Sequence, residues 1–418
     1  MRLLWLCNVA PSQVRQAAGK KPGSGWWLDH AFSDLRGTGM TMRVLYPGET
    51  GRGELDGNCD YATFRRPDRH KYDPAMESFF RQELQCFRPD VIHIWGTEYA
   101  HTLAMLRACG EAGLLERTAV SIQGLCTACA RHYTEGIPYG IQRRFTFRDF
   151  LRQDNILQQQ KKYALRGSME TKALRITHHI IGRTDWDRAC TGHIAPQARY
   201  HFCNETLRDP FYTGFWRYED CEKHRVFASS CVYPIKGFHY LLESFAQVAD
   251  RYPDAVLAVP GVSFLDQGLT SRLRRDSYHK YLAELAGQYR LEDKIVFLGK
   301  LTPEEMKEQY LRANVFALPS TVDNSPNSLG EAMLLGTPCV AADVGGVSTM
   351  LRHPSEGLLY PSSDPEMLAY NICRVFELED RAEAMGAAAS RHAAQTHNPA
   401  KNLADLMTIY RFLSGEEG

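Results

Sequence analysis

The chain carries no excess charge of either sign: 49 Lys and Arg residues face 49 Asp and Glu. A protein that grips nucleic acid with its whole surface needs such an excess, so any basic surface here must be local. No apolar run approaches the ~18 residues that a membrane-crossing helix requires. Leu3–Cys7, after Met1 and Arg2, is too short for the core of a signal peptide and precedes no convincing cleavage site, so it reads as a first buried strand. The twelve cysteines follow no regular spacing, which points to reduced thiols in a cytoplasmic enzyme. Cys126 and Cys129 form a lone CxxC with no second pair, too little for a metal or redox centre. Internal repeats and low-complexity tracts are missing as well. What remains is a globular composition, 44% hydrophobic and 11% aromatic.

A chain of 418 residues suits two domains of roughly 200 residues each. Apolar runs of four to seven residues alternate with helical patterns, which predicts parallel sheets with right-handed crossovers. In the first half the strands are Leu3–Val9, Met42–Tyr46, Val91–Trp95, Thr118–Ile122, Thr177–Ile181 and Tyr200–Cys203. A loop is expected over Val14–Gly25, and helices over Trp26–Leu35, Pro74–Cys86 and Thr102–Gly110. In the second half the strands are Val226–Ser230, Val256–Pro260, Ile295–Leu298, Val315–Leu318, Cys339–Ala342 and Gly357–Tyr360. Helices cross between them at Phe238–Tyr252, Ser271–Gln288, Pro303–Arg312, Ser328–Leu335 and Pro365–Phe376, and Arg381–Leu413 closes the chain as alanine-rich helix. The expected division is a first domain over 1–205, a hinge over 206–223 and a second domain over 224–395. A final helix, 396–418, would cross back to the first domain.

Chemistry concentrates between Val315 and Val340. A buried strand ends at Pro319, a polar loop follows, and a helix from Ser328 to Leu335 is stopped by Gly336 and Pro338. The loop therefore lies at a strand's carboxyl end, with a helix amino terminus aimed into it, where free N–H groups and the helix dipole favour phosphate. Asn327 or Ser328 would cap this helix. Glu331 is then either a capping-box partner or a ligand-binding carboxylate.

Asp323 and Glu331 stand eight apart, and this spacing resembles the E-x7-E element of retaining glycosyltransferases with the two-domain GT-B fold, family 4 in particular. Lys236 and Gly237, in the loop CVYPIKG after a strand, are similar to that family's Lys-Gly, and Gly345 and Gly346 in DVGGV to its glycine pair near the donor. The resemblance is weaker in the first half, where Gly23 and Gly25 stand for the family's glycine loop and Gln123 occupies a place often held by His. A second departure is the family's Arg before the Lys: Ser230 or Cys231 stands there, and Arg183 from the other domain is a candidate replacement. The implied fold is two doubly wound Rossmann-like domains facing a central cleft, with the nucleotide sugar held mainly by the second. The implied roles put Lys236 on the leaving diphosphate with the backbone of Asn327, Ser328 and Leu329, Asp323 on the sugar hydroxyls and Glu331 on the ribose. Gly25, Arg183, Gly237, Lys300, Gly345 and Gly346 complete the donor side, and Glu98 and Gln123 face sugar and acceptor. The donor is a nucleotide-diphosphate sugar, no cofactor or metal is implied, and the acceptor is a glycan or lipid-linked glycan of surface polysaccharide synthesis.

Asp185 and Asp187 mimic a metal-binding DxD, but their place after a strand reads as a helix amino terminus. Arg131–Arg175 carries Arg143, Arg144, Arg148, Arg152, Lys161, Lys162, Arg166, Lys172 and Arg175. It reads as a solvated pair of helices, or as a basic surface for anionic membrane lipid on the inner face or for a diphosphate-linked acceptor. Two other functions compete with transfer: a nucleotide-sugar epimerase on the same fold, and a catalytically silent binding subunit. The missing Arg and His favour the silent subunit; the competent set Lys236, Asp323 and Glu331 opposes it.

Overall fold

The computed structural model describes residues 1–20, 26–49, 51–65, 68, 70–266 and 268–416, with the backbone alone for Trp26, Leu269 and Arg272. Gly23 and Gly25 lie outside the described residues. Contacts divide the chain into two compact units. The first comprises Met1–Thr127, Lys162–Arg208 and Thr396–Gly418; the second comprises Ala128–Lys161 and Asp209–Gln395. Residues 128–161, inside the linear block expected for the first domain, thus group with the second unit.

The first unit is built on strands β1 (Arg2–Cys7), β2 (Thr41–Gly48), β3 (Gly51–Asp56), β4 (Cys59–Arg65), β5 (Val91–Trp95), β6 (Thr118–Ser121), β7 (His179–Gly182) and β8 (Arg199–Phe202). They lie in the order β3-β4-β2-β1-β5-β6-β7-β8. Every pairing is parallel except the β3–β4 hairpin. The hairpin has no counterpart in the expected strands. GRGELD lacks the apolar run that marks a buried strand, and most of its residues are exposed. A short helix, Ser12–Ala17, also replaces part of the expected loop, burying only Val14.

The last helix, Pro399–Ser414, belongs to this unit for a chemical reason. Tyr410, fully buried, accepts from Trp5 Nε1 at 3.1 Å and meets His93 Nδ1 at 2.6 Å, and His93 Nε2 meets Ser121 Oγ at 2.7 Å. A polar chain therefore links the helix to three strands of the core, β1, β5 and β6. Pro399 breaks the expected continuous helix at its first turn, with Asn398 capping it through Lys401 N.

The second unit contains β9 (Arg225–Phe227), β10 (Val256–Val259), β11 (Ile295–Phe297), β12 (Val315–Leu318), β13 (Cys339–Ala342) and β14 (Leu358–Tyr360), all parallel, in the order β11-β10-β9-β12-β13-β14. Each sheet reverses its winding once, between β1 and β5 in the first and between β9 and β12 in the second. Those are the positions where a doubly wound sheet opens a crevice beyond its strand ends.

Candidate functional site: the strand ends beside β9 and β12

The loops leaving β9 and β12 flank the reversal point of the second unit, and they carry Lys236 and Asp323. Pro234–Lys236 forms one 3-10 turn, and Gly237 ends it at φ +65° before the helix Phe238–Arg251. A Cβ on Gly237 would sit 1.7 Å from the Pro319 carbonyl oxygen, so only glycine lets the two loops meet. Thr321 N donates to the Ile235 carbonyl at 2.9 Å and joins them directly. Lys236 Nζ then reaches Asp323 Oδ2 at 2.7 Å, and Ser320 Oγ donates to the same oxygen at 3.3 Å. Burial works to lower the Lys236 pKa, but the Asp323 carboxylate outweighs it and holds the ammonium above its ordinary value.

A second glycine fixes Asp323 from the other side. Gly346 N donates to the Asp323 carbonyl at 3.1 Å, and Gly345 adopts φ +55° with room for no Cβ, which would fall 1.8 Å from that oxygen. Both glycines leave β13 at its carboxyl end.

The helix Asn327–Leu334 starts beside this pair. Pro326 occupies the N-cap, and no side chain caps the helix, so the expected cap by Asn327 or Ser328 is not formed. Proline's fixed φ suits an entry turn but supplies no capping oxygen. Leu329 N and Gly330 N donate to the Pro326 carbonyl. Glu331 is not a capping-box partner either; it is buried, and Tyr310 OH donates to its Oε2 at 3.4 Å. Asn327 and Ser328 are half-buried at the helix start, and Leu329 is in the core. Lys300 is exposed beyond β11, next to Gly299, whose carbonyl accepts from Gly261 N at 2.7 Å. Ser230 and Cys231 lie beyond β9 and bring no charge: Ser230 Oγ accepts from Val232 N at 3.4 Å, and Cys231 is buried.

In the first unit the remaining residues form two groups. Glu98, beyond β5, accepts from Asn8 Nδ2 at 2.7 Å, and Asn8 Oδ1 meets His101 Nε2 at 2.7 Å. Burial, with the Glu170 charge adding to it, pushes the Glu98 carboxyl up to about 7 against the opposing Asn8 bond and Arg166. Beyond β6, Gln123 Nε2 donates to Glu205 Oε1 at 2.7 Å, and Arg183 is ion-paired to the same carboxylate while also reaching Gln123 Oε1 at 3.4 Å. The Arg183 charge is thus matched within its own unit. Asp185 and Asp187 open the helix Asp185–Ile194, with Thr184 accepting from Asp187 N and Asp187 accepting from Arg183 N. Among the described residues no group of three His, Cys, Asp or Glu side chains is placed to hold a metal ion. No disulfide joins any of the cysteines.

Sequence reasoning passed over Asn8, Glu205, Ser320 and Tyr310. Asn8 lies just beyond the carboxyl end of a strand, as Glu98 does, and Ser320 sits three residues before Asp323, so both carried a positional signal. Glu205 and Tyr310 carried none, because their partners come from 22 and 21 residues away, Arg183 and Glu331.

Comparison with known proteins bears on this arrangement. Residues 220–392, which hold Lys236, Asp323 and Glu331, match the family model of glycosyl transferases group 1. The fold is GT-B. Sucrose-phosphate synthase from Thermosynechococcus elongatus superposes over 100% of both chains with TM-score 0.73 at 16% identity. The GT-B protein HepE of Anabaena, solved with UDP and glucose, aligns over 98% of this chain and 99% of its own, with TM-score 0.66 at 16% identity. Among curated sequences, a D-inositol 3-phosphate glycosyltransferase of Corynebacterium urealyticum is 34% identical over 41% of this chain and 40% of its own length. A putative glycosyltransferase of Bacillus subtilis is 28% identical over 43% and 42%. The chain spans about 40% of the length of these curated relatives.

Proposed function

We propose that the chain is a retaining glycosyltransferase that moves a sugar from a nucleotide-diphosphate sugar to a hydroxyl acceptor without an obligatory metal. The observation that carries this reading is the Lys236–Asp323 pair, fixed by Gly237 and Gly345 at the reversal point of a parallel sheet beside a helix start with no side-chain cap. Cleavage of the anomeric bond builds negative charge on the leaving diphosphate. Lys236, kept cationic, and the N–H groups at the start of the helix Asn327–Leu334 stabilise that charge where it develops. Asp323 accepts hydrogen bonds from sugar hydroxyls, and donor binding lets Lys236 exchange its carboxylate partner for phosphate oxygen. Glu331, a buried carboxylate near the start of the helix, accepts hydrogen bonds from the two ribose hydroxyls.

The acceptor binds on the first unit in this reading, with Glu98 and Gln123 reading hydroxyls. It is a glycan or lipid-linked glycan of surface polysaccharide synthesis. A curated relative is named for D-inositol 3-phosphate, which makes a polyol phosphate a second acceptor to assay. One observation favours a silent binding subunit instead: Arg183 is already matched by Glu205, and neither Ser230 nor Cys231 replaces the cation expected before Lys236.

Titration of UDP, GDP and ADP into the protein and into Lys236→Met tests the site. One nucleotide binds the wild type, and the variant loses about tenfold or more, the worth of a charge-assisted bond to phosphate. Equal affinity in the two proteins removes Lys236 from the site, and no binding of any nucleotide removes the donor site itself.

A further inference from the structure

The segment between Tyr139 and Arg152, in the second unit, is built inside out. Its helix Phe147–Arg152 buries its acid and displays its aromatics: Asp149 is 0% exposed, whereas Phe147, Phe150 and Leu151 are 61%, 65% and 65% exposed. Asp149 anchors the helix from below. Its carboxylate accepts from Thr146 N at 3.1 Å and from Ser277 N at 2.9 Å, and closes a capping box with Thr146. Tyr139 and Phe145 are also exposed, so large apolar side chains crowd one short stretch. Isolated exposed apolar residues are ordinary, but a contiguous cluster marks a contact surface.

Around the cluster the acids pair with Arg144 and Arg148, and four further cations are left without an ion pair among the described residues. Nearby acids are already matched: Glu284 pairs with Arg144 at 2.6 Å, and Asp149, Asp154 and Asp276 surround Arg148 at 3.1–3.6 Å. Arg143, Arg152, Arg274 and Lys280 are exposed and make no ion pair among the described residues. The helix Leu269–Arg274 packs beside Phe147–Arg152, and Lys280 shares a groove with Phe145, Phe147 and Leu273.

We propose that this surface docks on an anionic lipid bilayer, with Phe147, Phe150 and Leu151 entering the headgroup boundary and Arg143 and Arg152 meeting lipid phosphates. Aromatic rings and long cationic side chains side by side are what such a boundary accommodates, apolar below and charged above. A second copy of the chain fits less well, because a symmetric contact would set these cations against one another. None of the side chains assigned to this surface is among those assigned to the nucleotide, and its test is independent of the transferase reading.

Flotation of the whole protein with phosphatidylcholine vesicles, with and without about one-third phosphatidylglycerol, tests this. The protein floats with the anionic vesicles and is released by salt. Phe147→Ser/Phe150→Ser and Arg143→Glu/Arg152→Glu each cut the bound fraction about tenfold. Their melting temperature and nucleotide affinity stay at wild-type values, since all four side chains are exposed or half-exposed. Failure of the wild type to float, or flotation of the serine variant at the wild-type level, overturns the proposal. So does concentration-dependent dimerisation that the serine variant abolishes without any vesicle binding, which would assign the face to a second copy.

Discussion

At the scale of residues, the site depends on two glycines as much as on its charged groups. Gly237 and Gly345 each combine positive φ with a backbone oxygen under 2 Å from where a Cβ would be. Neither neighbour is a flexible side-chain tip that could give way. Gly345→Ala therefore combines backbone strain with a clash, costing about 3 kcal/mol of stability. Urea unfolding that shifts by under about 1 kcal/mol would show that the Asp323 loop can move aside. Sequence reading found these glycines as a family pattern, and a plain turn would need the Gly345–Gly346 pair too; the approach of each glycine to the backbone of Pro319 or Asp323 carried no signal in the sequence. The pairing of Lys236 with Asp323 was less legible. It spans 87 residues and depends on a hydrogen bond between two loops, which no local pattern encodes.

At the scale of elements, the strands with continuous apolar runs were readable to the residue: Val91–Trp95, Val315–Leu318 and Cys339–Ala342 fall where their sequences place them. Buried parallel strands show this because both faces are covered. The β3–β4 hairpin and the exposed face of Phe147–Arg152 were not readable, since an edge strand and an inverted helix both contradict the rule that apolar residues lie inside. The last helix is held by His93, whose burial lowers its pKa from 6.5 to about 3. The folded state keeps this ring neutral while the unfolded chain protonates it below 6.5. Its contribution is therefore complete above pH 6.5 and is lost as pH falls toward 3, at about 1.4 kcal/mol per unit. His101, lowered to about 3, acts in the same direction, whereas Glu98, raised to about 7, acts oppositely between 4.5 and 7. The net slope therefore mixes groups, and the difference between wild type and His93→Gln isolates one. Between pH 6.5 and 5 the variant's stability falls less steeply by about 1.4 kcal/mol per unit; parallel curves would mean His93 titrates in the fold.

At the scale of the whole molecule, the alternation of strands and helices was enough to give two parallel-sheet α/β domains, because each βα crossover is a local pattern repeated along the chain. The grouping of 128–161 with the second unit was not legible. It rests on contacts such as Asp149 with Ser277 and Arg144 with Glu284, more than 100 residues apart. The central claim concerns the donor site near β9 and β12, and one measurement reaches it most directly. Nucleoside diphosphate release is followed from UDP-, GDP- and ADP-sugars, with chelator present, for the wild type and Glu331→Gln. The account predicts slow release from one donor by the wild type, reduced about 10- to 100-fold in the variant through loss of charged hydrogen bonds to the ribose. Release that is unchanged in Glu331→Gln, or that appears only when a divalent metal is restored, would contradict it.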